Sequence, residues 1–183
     1  MSKINRLITS YKKYIAIPWR SDAAAAQRVI FCVYNESDEL RLRSKIDEFE
    51  IATRENGHYW AIFDLTDSFA EWMANQKYAQ SYFKKPSLLA TLYLKYQQFI
   101  EKRFSEFLEK NAVNQNFVVG IQGVGSLFGF LKVKDVVDKL APKVIGRLLV
   151  FFPGSYENNN YRLLDGYDGW NYLAVPITAD KDF

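Results

Sequence analysis

The sequence predicts an α/β layered domain with a mostly parallel sheet flanked by helices, and three observations carry that expectation. Runs rich in β-branched and aromatic residues recur at 29–34, 59–65 and 117–122, the composition of strands. Segments with apolar residues at helical spacing separate them. A wholly apolar run at 148–152 is followed by Pro153-Gly154, the pattern of a strand buried on both faces and stopped by a turn. Strands alternating with helices favour crossover units and hence parallel pairing. A P-loop NTPase fold that lacks its phosphate loop fits the same order of elements.

Taken in order, Ile4, Leu7, Ile8, Tyr11 and Ile15 mark an opening amphipathic helix, and Pro18 follows its end. Residues 23–26 carry no decisive signal. After the strand at 29–34, Asn35 stands at a helix N-cap with Glu36, Asp38 and Glu39 in the first turn, where the helix dipole favours acids. Leu42, Ile46 and Phe49 line one face of that helix, and Asn56-Gly57 stops it. Ser68 with Glu71 has capping-box spacing for a short helix through Trp72. Pro86 is expected to open the longest helix, whose stripe runs from Leu89 to Leu108. Residues 133–140 form another helix. The C-terminal part is expected to be strand-like in two pieces around Asp165-Gly-Tyr-Asp-Gly169, which has turn chemistry.

At 183 residues the chain suits one domain, read here as a basic helix or arm at 1–20 and a single α/β domain at 21–183. The net charge of +3 is too small to mark a nucleic-acid binder by itself. Its distribution is uneven, since Lys3, Arg6, Lys12, Lys13 and Arg20 precede any acid. They make a solvated helix face or, less conservatively, an arm that meets DNA or an acidic partner. No apolar run approaches the roughly 18 residues that span a bilayer, and the first residues lack the apolar region of a signal peptide. The single cysteine, Cys32, rules out an internal disulfide. A cytoplasmic protein is expected.

Catalytic chemistry finds little to use. Gly123-Val-Gly125-Ser-Leu-Phe-Gly129 follows a strand as a phosphate loop would, but its third glycine comes one residue late for a dinucleotide fingerprint. Tight packing of a strand-to-helix turn explains it better. After the first strand an NTPase needs Gly-x-x-x-x-Gly-Lys-Ser/Thr; the chain instead reads Tyr34-Asn-Glu-Ser-Asp-Glu39, whose carboxylates repel phosphate. One His and one Cys do not make a typical zinc site. Cys32 and His58 could pair only if a mid-strand thiol were reactive, and a small buried hydrophobe is the more economical role. Asp64, Asp165 and Asp168 could gather Mg²⁺, although capping and turns account for all three. No catalytic residue, cofactor or metal is expected.

Polar forks and rigid aromatics interleave in the last third, at Asn159, Asn160, Tyr161, Arg162, Asp165, Trp170, Asn171 and Tyr172. That composition suits a recognition surface or a densely bonded turn.

The same region carries a family resemblance. Thr66-Asp-Ser-Phe-Ala-Glu-Trp72, Gly125-Ser-Leu-Phe-Gly129, Gly146-Arg-Leu-Leu-Val-Phe-Phe-Pro-Gly154, Asn159-Asn-Tyr-Arg-Leu-Leu-Asp165 and Asp168-Gly-Trp-Asn-Tyr-Leu-Ala-Val-Pro-Ile177 resemble the BrxB family of bacterial BREX phage-defence systems. The likeness covers about residues 28–178 and departs at Gly166-Tyr167, where a small and a basic residue are expected. BREX modules modify host DNA and block phage propagation. Their parts include a methyltransferase, an alkaline-phosphatase-like protein (PglZ), an ATPase and DNA-binding or adaptor proteins. The resemblance implies a non-catalytic adaptor that docks the PglZ-type protein among other BREX components. It implies no membrane, no small-molecule substrate, and DNA reached directly only in the alternative reading.

Overall fold

The computed structural model describes residues 2–166 and 169–180. β1 (Val29–Tyr34) lies inside a sheet whose strands follow the order β2-β3-β4-β1-β7, with β2 at Tyr59–Asp64, β3 at Phe117–Gln122, β4 at Arg147–Glu157 and β7 at Val175–Ile177. All four pairings in that order are parallel. Two short strands, β5 (Asn160–Leu163) and β6 (Trp170–Asn171), add antiparallel pairing off β4, so the seven-stranded sheet is mixed. The α/β layering agrees with the expectation from sequence.

Alternation along β1 divides the core in two. Val29, Phe31 and Val33 face one cluster; Ile30, Cys32 and Tyr34 face the other. The first cluster is roofed by α4 (Ser68–Ala74), α6 (Tyr93–Lys110) and α7 (Val133–Leu140), which contribute Trp72, Tyr96, Phe104 and Val137. The second is roofed by α1 (Lys3–Ile15), with α2 (Glu39–Arg43) and α3 (Ile46–Glu55). α1 begins at Ser2, whose side chain accepts a hydrogen bond from the Asn5 amide at 3.2 Å. It buries Ile4, Leu7, Ile8, Tyr11 and Ile15, and the Tyr11 hydroxyl shares a 2.6 Å hydrogen bond with Thr53 of α3. Each such apolar side chain contributes about 1.5–3 kcal/mol on burial. α1 side chains therefore pack in the same cluster as those of β1, α3 and β7.

Three local expectations are corrected. Ser68 and Glu71 form no capping box: Ser68 is the first residue of α4, its hydroxyl donates to the Leu65 carbonyl at 2.7 Å, and Glu71 pairs with Arg103. The Ser68 hydroxyl also meets the buried Tyr96 hydroxyl at 2.7 Å. Pro86 opens a 3₁₀ segment, Pro86–Leu92, and the long helix starts only at Tyr93. A short helix, α5 (Ala79–Lys84), precedes that segment. Finally, Pro153-Gly154 does not end β4. Pro153 lies opposite Tyr34 in the parallel register, and its carbonyl accepts from the Leu164 amide at 2.8 Å. Gly154 is required there because a Cβ would stand 2.0 Å from the Arg162 carbonyl oxygen.

Candidate functional site

Two places deserve comparison as sites: the carboxyl edge of the parallel strands, where open α/β sheets commonly bind ligands, and the β4–β5–β6 hairpin beside it.

At the carboxyl edge, the loops after β1, β2 and β3 converge on Asp64. Its carboxylate accepts from the Thr66 amide at 2.8 Å, the Thr66 hydroxyl at 2.5 Å and the Gln122 amide at 2.7 Å. Burial alone would raise the Asp64 pKa, but these hydrogen bonds and the charge of Arg43 outweigh it and hold the carboxyl below its ordinary value. Arg43 in turn bridges Thr66 at 2.9 Å and Glu39 at 2.6 Å, and the Tyr34 hydroxyl donates to Glu39. The polar groups here are consumed by one another. The turn after β1 is a 3₁₀ turn, Glu36–Asp38, with Asn35 accepting from the Ser37 amide at 3.0 Å.

The glycine run after β3 is a packing turn. Gly123 has φ +78°, and a Cβ on it would lie 2.5 Å from the Thr66 amide nitrogen. A single 3₁₀ segment follows, Val124–Leu127, with Val124 and Leu127 buried. Ser126 donates to the carbonyls of Leu65 and Gly123.

Nucleophile and metal candidates do not assemble. Cys32 is fully buried, and burial pushes its thiol pKa up. His58 precedes β2, three strands from β1, which is about 14 Å across a sheet. Its ring instead stacks on Trp19 with centroids 3.6 Å apart. Among the described residues no group of three or more His, Cys, Asp or Glu could hold a metal ion. Asp168 lies outside the described residues.

The hairpin sorts the expected recognition residues into two sets. Asn158 and Asn159 occupy its tip with φ of +50° and +65°, the backbone signs of a type I′ turn. Tyr156 donates to the Asn159 side chain at 2.9 Å, so this asparagine serves the turn. Along β5 the side chains alternate: Asn160 and Arg162 outward, Tyr161 and Leu163 inward. Tyr161 is fully buried against Phe31, Phe152 and Trp170. Trp170 pairs with Tyr161 in register, touches Phe31 and Phe152, and is only partly exposed. Tyr172 reaches α7; burial and its hydrogen bond to Asp138 push its phenol pKa up. The outward set is therefore Asn159, Asn160, Arg162, Asp165 and Asn171, all exposed. Among the described residues Arg162 enters no ion pair with Asp165.

Beside this rim lies a cleft of about 780 Å³ whose lining includes Phe128, Phe130, Leu131, Asp165 and Trp170. Sequence reasoning missed Phe128, which is 46 % exposed; an aromatic between glycines in a turn was its only signal.

The five basic residues of the opening segment separate. Lys3 sits by Tyr34, Asn35 and Asp38 at the carboxyl edge of β1. Lys12 and Lys13 are in the last turn of α1, near 15 Å further along the helix. Arg6 is exposed between them, and Arg20 is held by Asp22 through hydrogen bonds of 3.1 and 2.8 Å.

Fold and site together define a three-layered α/β domain whose carboxyl edge carries a hydrogen-bonded network around Asp64 and Arg43 and whose hairpin displays a polar rim. A family model described as BREX protein BrxB matches residues 60–176. The chain belongs to the BrxB family and so to the components of BREX phage defence. The match is narrower than the resemblance read from sequence and leaves out α1, β1, α2 and α3. No curated protein and no solved structure matches the chain. Among the described residues no helix is long and apolar enough to cross a membrane.

Proposed function

We propose that the chain is a non-catalytic, cytoplasmic adaptor of a BREX-type assembly. It docks the PglZ-type alkaline-phosphatase-like component through the hairpin rim and the adjoining cleft. The observation that supports this most is the division within β5 and β6: buried Tyr161 and half-buried Trp170 anchor the hairpin, so Asn160, Arg162 and Asn171 are presented from a fixed frame. Groups ordered in advance lose little freedom on binding. The cleft supplies Phe128 and Trp170 as apolar anchors beside polar forks, the mixture found at interface centres. The carboxylates Glu36, Asp38 and Glu39 after β1 suit a P-loop-like fold that has lost its phosphate loop, since they stand where phosphate-binding amides would be needed.

Direct DNA contact is the second reading. It would run through the basic opening segment, where Arg6, Lys12 and Lys13 are all exposed on α1. Titration of the chain with the purified PglZ-type protein of its own system, and separately with duplex DNA, tests both readings. Binding of the protein that barely weakens between about 0.1 and 0.5 M salt supports docking through the hairpin. Binding only to DNA, with a steep salt slope, supports the second reading and overturns the first.

A further inference from the structure

Between Glu71 and Glu101 the chain holds four lysines, Lys77, Lys84, Lys85 and Lys95, and no carboxylate. All four are exposed. The ion pairs flanking the stretch, Arg103–Glu71 and Lys102–Glu106, draw their acids from outside it. The same stretch exposes Tyr78 (57 %), Phe83 (69 %), Leu88 (41 %) and Leu94 (66 %), four of the eleven large apolar side chains exposed among the described residues. α5 contains no buried residue, and Leu89 is the only buried one in the 3₁₀ segment. Ala79 and Tyr82 merely rest against the core. A solvated helix pair would carry mixed charges at these positions; this one carries apolar groups among cations.

The chemistry of the occupant follows from that pairing. Tyr78 and Phe83 could stack on bases, but Leu88 and Leu94, the other half of the exposed apolar set, offer bases nothing. A membrane-surface helix keeps its apolar residues on one long face, whereas these are spread over α5, the 3₁₀ segment and the start of α6. Exposed lysines among exposed apolar groups are complementary to a protein segment with apolar anchors and free carboxylates. Its apolar groups would bury against Phe83 and Leu94 while its acids face the lysines, whose stems cover the rim.

We propose that α5, the 3₁₀ segment and the first turn of α6 form a docking surface for an acidic, amphipathic segment of another protein of the assembly. The proposal rests on the adaptor reading but uses residues distinct from the hairpin. To test it, a photo-crosslinking residue replaces Phe83, and the chain is mixed in turn with each purified protein of its BREX system. A crosslink to an Asp/Glu-rich peptide of one of them is expected. Phe83→Ser and the pair Lys84→Glu with Lys85→Glu should each weaken capture of that protein about tenfold or more, with unchanged melting temperature. The charge reversal should matter less at about 0.5 M salt than at 0.1 M. Crosslinks confined to a second copy or to DNA, binding only to phosphatidylserine vesicles, or unaltered capture would overturn the proposal. In the same assay, loss on Phe83→Ser with none on Arg162→Ala would remove the hairpin reading and leave this one. Capture of no protein would remove both.

Discussion

The rings of Tyr161 and Trp170 lie nearly flat against each other, with centroids 5.3 Å apart and planes 28° from parallel. Tyr161 also lies 4.7 Å from Phe31 of β1, and its hydroxyl donates to the Ala174 carbonyl at 3.4 Å. The hairpin that carries the proposed rim is thus fastened to the central strand by aromatic packing.

Tyr161→Ala should cost about 3–5 kcal/mol, because a fully buried ring leaves a cavity. In a chain of this size that lowers the melting temperature by roughly 10 °C. A thermal melt checks it; a melting temperature within a degree of the parent's would show that the hairpin is not part of the core.

Gly154→Ala tests the strand that sequence reading stops too early. With a Cβ at 2.0 Å from the Arg162 carbonyl, β4 and β5 must separate, at a cost of about 1–3 kcal/mol or more. Urea denaturation should show the loss, and amide exchange at Arg162 and Leu163 should speed up. Unchanged exchange would mean that the strands tolerate the methyl group.

Ser68→Ala leaves the buried Tyr96 hydroxyl without its 2.7 Å partner. A loss of about 1–3 kcal/mol is expected. Replacing Tyr96 by Phe in the same chain should recover part of it, since both polar groups are then gone. Equal stability of the single and double variants would contradict this pairing.

The stack of Trp19 on His58 sets a pH dependence. Burial, and after it the charge of Arg147, hold the His58 imidazole below its ordinary value of 6.5. With the folded pKa depressed, the unfolded chain binds the proton more readily. Stability from neutral His58 is therefore full above about 6.5 and lost as pH falls through the folded value. His58→Gln should flatten that part of the stability profile between about pH 7.5 and 5.5. A parent profile already flat over this range would show that His58 titrates alike in both states.

Much of this architecture is legible in the residues. β1, β3 and α7 follow from composition and periodicity because their burial is uniform along one face or both. β4 is harder: Pro-Gly punctuation normally ends a strand, but here Pro153 sits at the last parallel pair and Gly154 permits the close approach of β5. The capping-box spacing at Ser68 misleads because burial redirects the hydroxyl to Tyr96. In the candidate site, Tyr and Trp read equally well as surface anchors or as core. The alternation Asn160, Tyr161, Arg162, Leu163 would have separated them, since period two places Tyr161 with Leu163 inside. The crossing of Trp170 over Tyr161 is a tertiary fact that spacing does not contain.

The central claim is that the hairpin rim binds while the buried Tyr161 ring only holds it in place. It is tested most directly by the affinity of the Arg162→Ala chain for the PglZ-type protein, measured by calorimetry beside its melting temperature. Arg162 is exposed and lies between two inward residues, so folding should be unchanged. The account expects affinity to fall by about 2 kcal/mol, near thirtyfold, as at other arginine hot spots. Affinity equal to that of the parent chain, with the same melting temperature, would contradict it.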